Sequence, residues 1–319
     1  MADESLIVVG LGGNAISRSS EEGNVDEQFS NARTTAKSLA DLIEMGHRLV
    51  ITHGNGPQIG NFLLRNLAAS GVIYPLPMEV AVAHVQGGMG YMIAQTLMNE
   101  LAHRGSERAV TTFVTTVYVD RDDPAFDNPT KPIGRRLNID DVRRLEREEG
   151  WTTVEVGPGV YRRVVPSPVP RRILEIESIR RAVNAGELVV ACGGGGIPIV
   201  RDPEYGYHGV RAVIDKDLAS AMLATELGAE AMIILTNVDQ VSIDFGKPEE
   251  RAVDHMTVTQ ARQWKDEGQF PDGSMGPKIR GVLNFLDATN NPDAYAVIGP
   301  LHGAAEAVRG EIGTRITKT

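Results

Sequence analysis

Leu6-Ile-Val-Val-Gly-Leu-Gly-Gly-Asn-Ala15 begins as an uninterrupted apolar run and ends among glycines. A run without polar alternation reads as a strand buried on both faces, which is the signature of a parallel sheet. The glycines after it form a turn whose backbone amides a ligand can approach with no Cβ in the way. Phe29, Ala32, Ala36, Leu39 and Ile43 follow at steps of three and four, one apolar face of a helix stopped by Gly46. Leu49–Thr52 repeats the strand, His53-Gly-Asn-Gly56 repeats the glycine turn, and Pro57 is placed to open a second helix. Leu188–Ala191 entering Gly193–Gly196, and Met232–Leu235 entering Thr236-Asn-Val-Asp239, give the same sentence twice more. Val110–Val119 is β-branched and strand-like throughout, Tyr295–Ile298 is a late strand, and Gly313–Thr317 is expected as an edge strand. Strand, glycine turn and helix in alternation predict an α/β fold, a mostly parallel sheet covered on both faces. Ligands of such sheets bind beyond the carboxyl ends of the strands, where the glycines fall.

One stretch interrupts this rhythm. Residues 121–170 are rich in Pro, Arg and Asp, with a polar helix pattern over Ile139–Glu149 and a hairpin of Thr152–Val156, Gly157-Pro-Gly159 and Val160–Val165. This reads as an inserted subdomain rather than a long surface excursion.

The whole chain has 319 residues, with 42 acidic and 32 basic side chains and a net charge of −10. Without a block of Lys and Arg it is a poor nucleic-acid binder. Any phosphate chemistry must rest on a few local lysines. Cys192 is the single cysteine, so no intrachain disulfide forms, which fits a reducing compartment. Leu188–Val200, the longest uncharged apolar stretch, is too short to span a bilayer. With no basic leader before Leu6, the expected location is the cytoplasm.

Gly10-Leu-Gly-Gly-Asn-Ala15 satisfies G-x-G-x-x-A, so a nicotinamide dehydrogenase must be weighed. That fingerprint needs an acidic residue at the end of the second strand to hold a ribose, and His53-Gly-Asn-Gly56 stands there instead. No G-x-x-x-x-G-K-[ST] occurs, which excludes a P-loop. Several separate glycine turns at one sheet edge favour an anion site over mere turn geometry. Lys216, in Asp215-Lys-Asp217, and Lys278, after Gly273-Ser-Met-Gly-Pro277, both stand where a helix begins, and Lys131 lies in Asn128-Pro-Thr-Lys-Pro-Ile-Gly134. Singly each reads as a solvated charge or an ordinary salt bridge. Together with the glycine turns they suit phosphoryl transfer, in which the protein positions reactants and offsets charge. Asp217 could hold the lysines, or simply be an acid at a helix N-terminus. The histidines show no metal spacing, His53 reads as structural, and Cys192 reads as a small buried residue rather than a nucleophile.

Read together, Leu11–Ala15, His53–Gln58, Asn128–Gly134, Cys192–Pro198, Ala212–Ala219, Phe245–Glu249 and Gly273–Lys278 closely resemble the carbamate kinases of the amino acid kinase superfamily, in family order and from end to end. The resemblance implies a three-layer αβα sandwich with a small protruding subdomain, in a single domain over residues 1–319. Its N-terminal half, about 1–185, would hold carbamate and its C-terminal half, about 186–319, the nucleotide. It implies a homodimer, small-molecule substrates, no nucleic acid or membrane partner, and the reversible reaction ATP plus carbamate giving ADP plus carbamoyl phosphate, with Mg²⁺ on the nucleotide. Carried over by position, Gly12, Gly13, Asn14, Gly54, Asn55 and Gly56 would bind the substrate, and Lys131, Lys216, Lys278, Asp217 and Asn14 would be catalytic. Lys216, Thr236, Asn237, Val238, Asp239, Phe245, Met275, Gly276 and Lys278 would line the nucleotide. Val241-Ser-Ile-Asp244 departs from the aromatic-containing run usual before Phe-Gly-Lys-Pro. The rival readings are a kinase for another small carboxylate and a silent nucleotide-sensing module, which should have lost one of the three lysines.

Overall fold

The computed structural model describes residues 4–17, 21–271 and 273–319. Its central sheet has eight strands in the spatial order 255–257, 314–317, 295–300, 231–236, 6–11, 48–53, 188–190, 110–112. The strands from 295–300 to 110–112 are mutually parallel, while 314–317 runs antiparallel to 295–300. Along the strand Leu6–Leu11, alternate residues face opposite layers. Ile7, Val9 and Leu11 join a core with the helices Val25–Glu44, Gly56–Ala68, Met78–His103 and Ala304–Arg309. Leu6 and Val8 join a second core with Ile176–Asn184, Lys216–Leu227, Val258–Asp266 and Met275–Ala288. A strand buried on both sides has no polar face to show, which is why its sequence is a solid apolar run. Each such fully buried aliphatic side chain contributes about 1.5–3 kcal/mol over its exposed state. The αβα sandwich expected from the sequence is therefore present.

Two sequence expectations are corrected. Val110–Val119 is not one strand: Val110–Thr112 ends the central sheet, and Thr116–Val119 belongs to a four-stranded sheet with 170–173, 197–202 and 206–209. The break is made by Gln86, whose side-chain amide donates to Thr115 O at 3.1 Å and accepts from Thr115 N at 2.8 Å. Thr115 N is thus spent on a side chain, while Thr115 O also accepts from Ile197 N at 2.9 Å, where the second sheet begins. Nor is 314–317 the sheet's edge, because the three-residue strand His255–Thr257 pairs outside it.

Residues 131–137, 152–157 and 160–165 form a separate three-stranded sheet, with the helix Ile139–Glu149 capped by the Asn138 side chain. This sheet docks on the helix Gly56–Ala68 through two glycines. A Cβ on Gly60 would lie 1.9 Å from Gly134 Cα, and Gly134 itself has a φ of +71°. Gly60→Ala should therefore destabilise the protein by about 1–3 kcal/mol through overpacking. Helix propensity alone predicts the opposite sign, a gain near ~1 kcal/mol. Denaturant midpoints decide between them, and a more stable variant would mean the contact yields without cost.

Candidate active site

Two helices on one face of the sheet bring their N-termini together at the carboxyl ends of the central strands. The helix Lys216–Leu227 lies so close to Met275–Ala288 that a Cβ on Gly281 would sit 2.7 Å from Asp217 O. Lys216 opens the first helix and Lys278 lies in the first turn of the second. Two cations at helix N-termini oppose both helix dipoles and each other, so something must hold them.

Two buried carboxylates do so. Asp217, 3% exposed, accepts a short hydrogen bond from Lys216 Nζ through Oδ1, and its Oδ2 lies 3.8 Å from Lys278 Nζ. Asp215 caps the helix, accepting from Asp217 N at 2.8 Å, and takes a short hydrogen bond from Lys131 Nζ. Burial pushes the Asp215 pKa up, but Lys131 and then Lys216 outweigh it and hold the carboxyl below its ordinary range. At Lys278 burial prevails. Burial lowers its pKa below the ordinary value, Asp217 pulls it back in part, and Lys216 opposes that recovery. Lys278 Nζ also donates to Ser274 O at 3.1 Å.

The three lysines line a cleft of about 380 Å³ together with the glycine turns Gly12–Gly13 and Gly54–Gly56 and with Thr236 and Asn237 at a strand end. Gly12 N donates to Leu235 O at 2.8 Å and Gly54 N to Leu11 O at 3.0 Å, which fastens both turns to the sheet edge. Asn55 lines the cleft, is 3% exposed, and its Nδ2 has no hydrogen-bond partner among the described residues. Behind it the Gly193–Gly195 turn passes so near that a Cβ on Gly194 would lie 2.0 Å from Asn55 Nδ2, and Gly194 has a φ of +63°. His53 is fully buried. Burial drives its pKa down to about 4, with a hydrogen bond to Gly54 O restoring part and Lys216 lowering it further, so it is neutral near pH 7. Cys192 is buried at a φ of 50°, and burial pushes its thiol far up, so it is no nucleophile.

Of the residues singled out from sequence, Gly12, Gly13, Gly54, Asn55, Gly56, Lys131, Lys216, Thr236, Asn237 and Lys278 share this cleft, with Asp217 immediately behind the lysines. Asp239 lines a neighbouring cavity of about 310 Å³ that shares Thr236 and Asn237. Val238, Met275 and Gly276 line neither cavity; Gly276 is buried and Phe245 is 70% exposed in a turn. The Asn14 side chain lies outside the described part of the structure, although its backbone forms a short 3₁₀ turn with Gly13 and Ala15. Sequence reasoning missed Asp215 as the partner of Lys131, Gly194 as the support of Asn55, and Arg162 as a cleft residue.

The description "Amino acid kinase family" belongs to the family model that matches residues 5–292. The chain belongs to that family. It is 43% identical over 313 residues to a carbamate kinase of Pyrococcus horikoshii, covering 98% of each chain, and 44% identical over 315 residues to one of Clostridium perfringens, covering 98% of this chain and 99% of that one. Among solved structures it superposes on carbamate kinase from Giardia lamblia bound to AMP-PNP, with a TM-score of 0.91, 36% identity and full coverage of both chains. As a family member it is a kinase, a phosphotransferase.

Asp217, at 3.8 Å, is the carboxylate among the described residues that lies within ion-pair reach of Lys278 and raises its pKa. Asp217→Asn should therefore lower the Lys278 titration midpoint further, since the charged ammonium loses its counter-charge while its burial remains. Heteronuclear NMR of ¹⁵N-lysine-labelled protein reads this directly, and a midpoint that stays put or rises would contradict the pairing.

Proposed function

We propose that this amino acid kinase is a carbamate kinase, interconverting ATP plus carbamate with ADP plus carbamoyl phosphate. The observation that carries the reading is the convergence of Lys131, Lys216 and Lys278 from three separate elements on one glycine-floored cleft, two of them steadied by one buried carboxylate. Full-length likeness to carbamate kinases supports the choice of substrate.

Carbamate is a small anion that attacks a polyanion, so the obstacle is like-charge approach rather than making a nucleophile. Its attacking oxygen is anionic at neutral pH and needs no general base. That agrees with a cleft whose nearest histidine is neutral and buried. In the direction of ATP synthesis the bond between phosphorus and the acyl oxygen breaks, its electron pair leaving with carbamate, while an ADP β-phosphate oxygen bonds to phosphorus. Lys216 and Lys278 would neutralise the phosphoryl oxygens and Lys131 the acyl side, with Asp217 keeping the first two lysines in place. Backbone amides of Gly13 and Gly56, with Asn55 and Asn14, would hold the acyl anion, and Gly12 and Gly54, whose own amides are tied to the sheet, would keep the cleft floor open to it. Thr236, Asn237, Val238, Asp239, Phe245, Met275 and Gly276 would hold the nucleotide.

Mg²⁺ would enter as part of the nucleotide substrate. The described residues contain no cluster of three His, Cys, Asp or Glu, and Asp215 and Asp217 are both engaged with lysines. This donor set suits a phosphate-borne ion better than a carboxylate cage. We also infer a cytoplasmic homodimer making ATP in catabolism. Tyr91 and Met98, seven residues apart on the helix Met78–His103, leave apolar surface on one helix face for such a contact.

ATP formation from ADP, Mg²⁺ and carbamoyl phosphate, with acetyl phosphate as control, tests the reading. Fast turnover with carbamoyl phosphate alone is expected. Equal rates with acetyl phosphate would make this a broader acyl-phosphate kinase, and ADP binding without turnover would make it a sensing module. Lys216→Ala and Lys278→Ala should each lower kcat by about 10²–10³, the loss typical of removing one charge-stabilising donor. Lys131→Ala should reduce turnover more than ADP binding.

A further inference from the structure

Arg162 is a cation in the same cleft that neither the fold nor an ion pair accounts for. It lies in the strand Val160–Val165, where successive side chains point to opposite faces. Arg163 stacks over the Trp151 ring at 4.2 Å and lines a separate small cavity with Trp151 and Leu137. Arg162 therefore faces the other way, and it lines the cleft beside Lys131, Pro132 and Ile133 of the neighbouring strand. The pairing of these two strands is irregular between Ile133 and Leu137, and Gly134 O there accepts from Arg162 Nη2 at 3.0 Å. One edge of the guanidinium is thus anchored to the backbone, while Nε is buried without a partner.

No ion pair within 4 Å is formed by Arg162 among the described residues, and after burial the largest influence on it is the like charge of Arg136, both lowering its pKa. A half-buried arginine kept for structure ordinarily finds a carboxylate. An anchored guanidinium with free donors, facing a cleft, is instead arranged for a planar anion. Its position selects which anion. It lies on the strand paired with the one that carries Lys131, in the small sheet packed on the helix that follows the Gly54–Pro57 turn, whereas Thr236 ends a strand of the central sheet and Asn237 follows it.

We propose that Arg162 binds the acyl substrate, a small planar carboxylate-type anion and its phosphorylated form, and contributes little to nucleotide affinity. The inference rests on the kinase reading given above. Its guanidinium would supply two directed hydrogen bonds where Lys131 supplies a point charge, so charge alone does not replace it.

Steady-state kinetics of Arg162→Gln and Arg162→Lys, with ADP and carbamoyl phosphate varied in turn, test this. In both variants KM for carbamoyl phosphate should rise roughly 10- to 100-fold, the cost of losing hydrogen bonds to a charged group, while KM for ADP stays within about twofold. The melting-temperature rise that carbamoyl phosphate gives the wild type should shrink in parallel. An unchanged KM for carbamoyl phosphate in Arg162→Gln overturns the proposal while leaving the kinase reading intact. So does an equal rise for both substrates with a lowered melting temperature, which marks a structural role. Full recovery in Arg162→Lys overturns the directed-hydrogen-bond form of it. Should Arg162→Gln fail to fold, Arg162→Lys decides by the same KM criterion. A wild type that neither turns over carbamoyl phosphate nor is stabilised by it overturns both readings together.

Discussion

The pair Asp215 and Asp217, at the head of one helix, is the interaction on which the rest of the site depends. The structure gathers three lysines at one cleft, where in the proposed reaction a polyanion would bind, and in the free protein they repel one another and two helix dipoles. Asp215 answers this by capping the helix and pairing with Lys131; Asp217 answers it by pairing with Lys216 while standing 3.8 Å from Lys278. Both carboxylates are almost fully buried, where an unpaired charge would be costly and a paired one is strongly held. The lysines are thus fixed before a ligand arrives. Little reorganisation remains for the moment of reaction, which is what electrostatic catalysis requires.

That arrangement imposes the glycines. Asp217 can reach Lys278 only because Gly281 lets the two helices approach to backbone contact. Asn55 can be held against the cleft only because Gly194 leaves room for its amide. Lys131 arrives from the separate three-stranded sheet, which is seated by the contact of Gly60 with Gly134. In each case a missing Cβ converts a packing contact into the placement of a polar group, so the glycine content of the chain belongs as much to the chemistry as to the turns.

These same constraints explain what the sequence could and could not reveal. Strands buried on both faces announce themselves by composition, so Leu6–Leu11, Arg48–His53 and Ala231–Thr236 were legible, as were the glycine turns at their ends. The polar helix Ile139–Glu149 and its hairpin carry local cap and turn signals and were legible too. The split of Val110–Val119 was not, because it is made at Thr115 by partners distant in sequence, the Gln86 side chain and Ile197 N. The strand His255–Thr257 is too short to carry a period. Asp215 and Arg162 escaped for a related reason. Beside Asp217 and Arg163 they look like members of charged doublets, and only alternation along the strand or the capping geometry tells the two apart.

A protein with a net charge of −10 that gathers anions seems at first to oppose itself. The resolution lies in range. At physiological salt, exposed charges are screened beyond about 8 Å, so the acidic surface has little hold on a small anion until it is close. Inside the cleft the charged side chains that line it, among the described residues, are Lys131, Lys216, Lys278 and Arg162. The carboxylates that balance them, Asp215 and Asp217, lie behind the lysines, 7% and 3% exposed. An incoming phosphoryl group therefore meets ammonium groups and backbone amides ahead of any carboxylate. The sign of the field is set locally by depth, with cations in front and anions behind, and this ordering lets an acidic chain bind an acidic substrate.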